Sequence, residues 1–371
     1  MTDVRFGIIG LGLMGREFAS AAARWLHLQD PPARPVITAV CDPNPDARRW
    51  FEDHVPTVEF STATYQELLN REDIDAVYVA VPHHLHAEIY VAVMRAGKHL
   101  MGEKPFGIDM EANQVIVDEA ARHPDLTVRC SSEMPFFPGA LAAFSAVANG
   151  EVGTILDAEA SFLHSSDMNP KKAINWKRQQ ATNGAYGCMG DLGMHVLHLP
   201  LRLGWKPHQV HAVLSNVMPE RPDGQGGMAL CDTWDNATLL TRVRQDGRSF
   251  PLSLHTKRMS PGDMNTWSFK VHGTETSVAF STKHPKTFWR LRYTPGNEQA
   301  WEAIDTGSQS AYPTLTGGIF EFGFSDAIQQ MWAAYVNEVV TGETGPLGCV
   351  TPEETRMQHE IFTQALKDAE A

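Results

Sequence analysis

Positive charge is scarce in this sequence: 31 Lys and Arg stand against 44 Asp and Glu, a formal net charge of −13. That balance argues against a polyanion such as nucleic acid as a general partner, and no basic run or zinc-knuckle spacing works against it. Cysteine is sparse as well. The five present, at 41, 130, 188, 231 and 349, lie far apart with no C-x-x-C pair. No disulfide framework is expected, and reduced thiols in a cytoplasm are. No apolar stretch approaches the roughly 18 residues a membrane span requires, so no membrane partner is expected. The opening MTDVRFGIIGLG enters a strand almost at once, which predicts no signal peptide. Internal repeats and low-complexity segments are also missing.

What is there reads as two domains in 371 residues, each large enough for its own core. Residues 1–130 alternate strand and helix. VRFGIIG (4–10), VITAVCD (36–42), DIDAVYVAVP (73–82) and KHLMGEKP (98–105) read as strands, and the segments 14–28, 44–54 and 87–97 as helices. Repeated β-α-β units of this kind predict an α/β fold with a doubly wound parallel sheet. Residues 131–350 have a different texture. Alternating segments at 154–163, 208–217, 237–247, 250–258 and 267–273, with a hairpin signal at Asp246-Gly247, predict an α+β domain with a large, open, mainly antiparallel sheet. Helical patterns follow at 325–342 and 351–371, the latter opening on a Thr-x-x-Glu capping box and expected to pack back on the first domain.

GLGLMG (10–15) fits G-x-G-x-x-G, with Gly10, Gly12 and Gly15 around Leu11, Leu13 and Met14, between a strand and a helix. Glycines there allow a tight turn and let a pyrophosphate sit on the helix N-terminus; a ligand-free glycine turn is the competing reading. Asp42 ends the second strand, where a carboxylate would accept from both ribose hydroxyls and repel a 2′-phosphate, which favours NAD over NADP. A helix-capping carboxylate is the alternative for Asp42.

HLMGEKPFG (99–107) ends an apolar strand on two adjacent ionisable residues, Glu103 and Lys104. A salt-bridged strand end is the plain reading. The stretch 81–105 nevertheless resembles the glucose–fructose oxidoreductase/inositol dehydrogenase/rhizopine-catabolism (Gfo/Idh/MocA) family, through Pro82, His86, Gly97-Lys98-His99 and Glu103-Lys104-Pro105. The resemblance continues into YGCMGDLGMHVLHLPLRLGW (186–205), which looks like the family's glycine-rich turn and D-x-x-x-H helix. It implies NAD as cofactor, contacts from Pro82, His86, Glu103 and Lys104, and a catalytic group of Lys104, Asp191 and His195, without metal.

Asp191, His195 and His198 span an arc of about 60° on a helix, so all three can face one cavity. A carboxylate with two imidazoles would also suit zinc. Taking a hydride from a carbinol carbon requires the hydroxyl proton to leave with it, and Lys104 or His195 could accept that proton. Asp191 could orient the imidazole or bind a substrate hydroxyl, and Glu103 could support the lysine or the cofactor.

Three departures from the family pattern matter. His198 stands where an aspartate is common and reads more readily as a buried core histidine than as a substrate contact. CSSEMPFFPG (130–139) carries Glu133 and a second proline in the region where relatives often place an arginine shortly before the proline, so no substrate contact transfers there. Ala185-Tyr186-Gly187 replaces a glycine triplet, and Tyr186 could be a second acid/base or simply pack.

NPKKAINWKRQQATNG (169–184) offers Lys171, Lys172, Trp176, Lys177 and Arg178, readable as sugar-binding cations with a stacking face or as a solvated basic loop. The expected activity is hydride transfer between a sugar, cyclitol or glycoside and NAD. A redox-neutral glycoside hydrolase on the same fold is the alternative, extending to anionic or sulfonated glycosides, and a cofactor-sensing regulator is the non-enzyme reading. A small sugar-like molecule is the expected partner, and an open sheet face is compatible with a homodimer or homotetramer.

Overall fold

The computed structural model describes residues 1–245, 247–307, 310–317 and 322–370. They form two compact units. The first holds 1–136, 310–317 and 323–356; the second holds the described residues of 137–309, Phe322 and 357–370.

In the first unit, strands β1 (Thr2–Ile9), β2 (Ala33–Cys41), β3 (Phe60–Thr62), β4 (Ala76–Val79), β5 (His99–Gly102) and β6 (Val128–Cys130) form one sheet in the order β3-β2-β1-β4-β5-β6. Every pairing is parallel. Helices α1 (Leu13–Ala23), α2 (Pro45–His54), α3 (Tyr65–Leu69), α4 (His86–Arg95) and α5 (Met110–Arg122) lie between the strands in sequence. The order reverses between β1 and β4, and the crevice outside their carboxyl ends is where such sheets bind ligands. All four residues of β4 are buried, as an apolar run covered on both faces should be. The short elements β3 and α3 hold too few residues to show a period, which is why the sequence pattern passes over them. Strand β5 stops at Gly102. Glu103, Lys104 and Pro105 therefore form a turn at its carboxyl end and not the continuation of a strand.

In the second unit, strands β7 (Ile155–Leu163), β8 (Pro207–Ser215), β9 (Glu220–Pro222), β10 (Met228–Leu230), β11 (Asn236–Gln245), β12 (Arg248–Lys257), β13 (Thr266–Gly273), β14 (Thr276–Ser281), β15 (Thr287–Arg292) and β16 (Glu302–Asp305) are present. All but the β9–β10 ribbon join an eight-stranded sheet, β16-β15-β14-β13-β7-β12-β11-β8. Its pairings are antiparallel except β12 with β7. Asp246 of the expected hairpin lies outside the described residues; β11 and β12 on either side pair from Asn236–Lys257 to Gln245–Arg248. Helices α6 (Pro138–Ala148), α7 (Gln180–Asn183) and α8 (Cys188–Arg202) belong to this unit. Every residue of α8 from Cys188 to Leu201 is buried. The helix touches β7, β11, β12 and β13, so it lies on the sheet as part of the core.

Helix α9 (Phe324–Thr341) is grouped with the first unit, where the sequence reading had assigned it to the second domain. The cause is an aromatic cluster. Trp332 stacks on Phe18 with ring centroids 3.8 Å apart and meets Phe6 and Tyr78 edge-on at 5.8 and 4.8 Å. Helix α10 (Pro352–Ala369) opens on the expected capping box: Thr351 N–H donates to Glu354 at 2.8 Å, and Glu354 N–H donates back to the Thr351 hydroxyl at 3.3 Å. Its first turn, through Arg356, is grouped with the first unit and the helix from Met357 onward with the second. Its packing there is close: a Cβ on Gly193 would lie 2.0 Å from the Phe362 ring. No helix among the described residues is long and apolar enough to cross a membrane.

Candidate active site

The glycine loop meets the requirements of a dinucleotide cradle. Gly10 has φ +94°, and a Cβ there would stand 2.3 Å from the Ala80 carbonyl oxygen. A Cβ on Gly15 would meet the Gly10 carbonyl at 2.6 Å, whereas one on Gly12 would meet nothing within 4 Å. Gly10 and Gly15 thus serve the chain's own turn and helix start, while Gly12 leaves open space beside the first turn of α1. That turn carries no acidic residue, and the partly positive helix end suits a pyrophosphate, with Leu13 and Met14 contributing backbone N–H groups. Asp42 is oriented in advance: Leu11 N–H donates to its Oδ2 and Asn44 N–H to its Oδ1, each at 2.8 Å. Each carboxylate oxygen has a second lone pair for a ribose hydroxyl. The residues present therefore fit NAD. Arg48, which the sequence reading did not single out, places its guanidinium on the carbonyls of Asp42 and Pro43.

The turn after β5 is built from the inside. Glu103 is buried, and its Oε1 accepts from the Tyr78 phenol and the Ser131 hydroxyl, both at 2.7 Å. The Tyr90 phenol donates to the Glu103 carbonyl at 2.6 Å. His86 is fully buried, with Nδ1 2.6 Å from the Pro105 carbonyl and Nε2 2.9 Å from that of Val81. Burial pushes its imidazole down to about 4 against the pull of those carbonyls, and the Lys104 charge acts in the same direction. His86 braces the turn from within, with no exposed surface and both ring nitrogens on backbone carbonyls. Pro82, at the start of the same segment, stays half-buried. Lys104 itself is half-buried at the head of the turn. Glu133 is buried close enough for its charge to be felt: burial, then the Glu103 carboxylate, push it up to about 7, while Lys104 pulls it down.

In the second unit, α8 presents Asp191 and His195 one turn apart, both buried. Lys177 Nζ donates to Asp191 Oδ1 at 3.0 Å, and the Arg258 guanidinium, at the end of β12, closes an ion pair on Oδ2. Two cations make Asp191 a hydrogen-bond acceptor. His195 meets Phe162 edge-on at 5.2 Å, and its carbonyl accepts from the Trp267 indole at 2.8 Å. His198 has no exposed surface, in line with the core reading and against a substrate contact. Among the described residues no group of three or more His, Cys, Asp or Glu is arranged to hold a metal ion.

The 169–184 loop is less available than its composition suggests. Arg178, buried, lies 3.1 Å from Asp167 Oδ2 and bonds Asp235 Oδ1 at 3.0 Å. It is a structural ion, which corrects the substrate expectation. Burial alone would raise Asp167, but Arg178 and Lys172, the latter at 3.0 Å, bring it below its ordinary value. Lys171 is exposed, and Trp176 is half-buried with the Lys177 ammonium 5.5 Å from its ring centre. The Tyr186 hydroxyl bonds that of Thr363 at 2.7 Å. Sequence reasoning missed Tyr78, Ser131 and Arg258, which hold Glu103 and Asp191 from 25, 28 and 67 residues away. No local signal marks such partners.

Comparison with known proteins agrees with this geometry. Residues 4–129 match the oxidoreductase family with an NAD-binding Rossmann fold, and residues 141–279 match the GFO/IDH/MocA C-terminal domain. The chain belongs to the Gfo/Idh/MocA family of oxidoreductases, and its first unit is an NAD-binding Rossmann domain. Levoglucosan dehydrogenase of Pseudarthrobacter phenanthrenivorans is 29% identical over 301 residues, covering 76% of this chain and 74% of the relative. An alpha-N-acetylgalactosaminidase of Shewanella oneidensis is 29% identical over 48% of this chain and 38% of its own. Among solved structures, a levoglucosan dehydrogenase in complex with NADH and L-sorbose superposes with a TM-score of 0.89 at 24% identity, over 100% of this chain and 97% of that one. An oxidoreductase domain protein from Kribbella flavida gives 0.90 at 20%, over 100% and 98%.

Proposed function

We propose that this protein is an NAD-dependent dehydrogenase of a sugar or sugar-like alcohol, with an anhydrosugar such as levoglucosan as the first substrate to test. The observation that carries the reading is Lys104, held at the carboxyl end of β5 by a buried scaffold, in a chain similar to levoglucosan dehydrogenase over 76% of its length. NAD, when bound, supplies the hydride acceptor. The chain's task is then to take the hydroxyl proton, for which we assign Lys104 and His195. Asp191, fixed by Lys177 and Arg258, serves as the acceptor that orients a second substrate hydroxyl.

The test is NADH formation at 340 nm across levoglucosan, L-sorbose, other neutral and acidic sugars, cyclitols and glycosides. Stoichiometric NADH supports the reading, and no turnover of any member sinks it. A Lys104→Ala protein should still bind NADH yet lose about 10²- to 10⁴-fold in kcat, the usual share of a positioned acid/base. The similarity to an alpha-N-acetylgalactosaminidase supports a second reading, redox-neutral glycoside cleavage. Aglycone release without NADH accumulation would favour it. The engagement of Tyr186 with Thr363 favours the dehydrogenase, since the second base that route needs is already bonded.

A further inference from the structure

The first unit holds, at its ribose corner, a cation that NAD itself does not call for. The Asp42 carboxylate is fixed there by the N–H groups of Leu11 and Asn44. Arg48, whose N–H closes the first turn of α2 on the Asn44 carbonyl, reaches back to the same residue. Its Nη1 donates to the Asp42 carbonyl at 2.5 Å and to that of Pro43 at 3.3 Å. Both bonds leave from that one nitrogen. Among the described residues Arg48 takes part in no ion pair, and its Nε and Nη2 make no further hydrogen bond. The side chain is half-buried, and the acid in the first turn of α2, Asp46, is exposed to solvent that screens it. Two carbonyls ask for one neutral donor, so a planar fork with a full charge is more than the loop requires.

We propose that NADP is a second, weaker cofactor of this chain, and that Arg48 is the specificity-determining residue that receives its 2′-phosphate. Asp42 alone would exclude that phosphate by like-charge repulsion. The carbonyl and the carboxylate of Asp42 belong to one residue, so the guanidinium stands within a residue's breadth of the ribose hydroxyls. A phosphate ester there gives Nε and Nη2 the bidentate oxygen acceptor that their geometry suits. Its charge is met by a cation that holds no carboxylate of its own. Repulsion from Asp42 and attraction to Arg48 then act on the same group, and NAD leads only by their difference. The residues at 42–44 show the carboxylate alone; the cation arrives from the helix, six positions on.

The experiment measures NADH and NADPH affinity of the full chain by nucleotide fluorescence in wild type, Arg48→Gln, Asp42→Asn and the double variant. Wild type should bind NADPH, and Arg48→Gln should lower the NADPH-to-NADH affinity ratio about tenfold, as losing one charge-assisted contact does. Asp42→Asn should raise the ratio by about tenfold or more, and adding Arg48→Gln should cancel that gain. Three results overturn the proposal: no NADPH binding by wild type, a ratio that Arg48→Gln leaves unchanged because both nucleotides weaken alike, or a gain in Asp42→Asn that survives Arg48→Gln. If Arg48→Gln does not fold, phenylglyoxal labelling of wild type, read by peptide mass spectrometry, decides. Saturating NADPH should shield Arg48 more than saturating NADH does, and equal shielding overturns the assignment. Every readout is of binding, so the proposal can fail while the dehydrogenase reading stands, and that reading can fail while Arg48 keeps this role.

Discussion

The phenol of Tyr78 donates a 2.7 Å hydrogen bond to Oε1 of Glu103, joining a residue within β4 to the one that follows the neighbouring strand β5. A carboxylate that would otherwise be stranded in the sheet's interior is thereby made part of it, and the turn carrying Lys104 inherits a fixed floor.

Tyr78→Phe leaves that carboxylate with one side-chain donor fewer and should cost about 1–3 kcal/mol, as should Ser131→Ala. Because both donors serve one oxygen, the double variant should depart from the sum of the two. Urea unfolding of the three proteins measures this, and wild-type stability in Tyr78→Phe would contradict the role.

The glycine loop separates folding from ligand binding. Gly10→Ala puts a Cβ 2.3 Å from a backbone oxygen at a positive φ and should give little folded protein. Gly12→Ala meets nothing in the chain. It should melt close to wild type while NADH affinity, followed by nucleotide fluorescence, drops at least tenfold. Unaltered affinity would remove the pyrophosphate from that space.

Arg258 and Lys177 both hold Asp191, at different depths. Arg258→Met breaks a buried pair and leaves the carboxylate short of a partner, a loss of about 3–5 kcal/mol. The Lys177 side chain is 33% exposed, so Lys177→Met should cost no more than about 1 kcal/mol. Equal losses in urea unfolding would contradict the ranking.

His86 makes stability acid-sensitive. Its value falls from 6.5 to about 4 on folding, so the unfolded chain takes up a proton that the folded one refuses. The contribution is complete above about 6.5 and is lost as pH falls towards 4, amounting to about 3 kcal/mol across that window. His86→Gln should flatten the slope of unfolding free energy between pH 4 and 6.5. An unchanged slope would assign the sensitivity elsewhere.

The parallel sheet and the glycine loop were legible because their signals are local: an apolar run covered on two faces, a G-x-G-x-x-G where strand meets helix. The placing of α9 was not. Trp332 reads as one apolar residue of an amphipathic helix, and nothing near it announces Phe18, more than 300 positions earlier. The partners of the 169–184 loop were not legible for a related reason. Composition shows its cations but not Asp167, Asp191 and Asp235 folded against them. His86 belonged to a recognisable motif, yet the motif marks a position and does not distinguish a residue that touches the cofactor from one that supports the turn beside it.

Arg178, enclosed with Asp167 and Asp235, has a consequence for the medium in which the protein works. Mobile ions weaken attractions they can surround, such as the surface pairs Arg5–Asp75 and Arg34–Asp3. They cannot enter around a guanidinium with 2% of its side chain exposed. The chain's electrostatics are therefore sorted by depth, so that in brine exposed pairs fade while the enclosed cluster keeps the balance it has in dilute buffer.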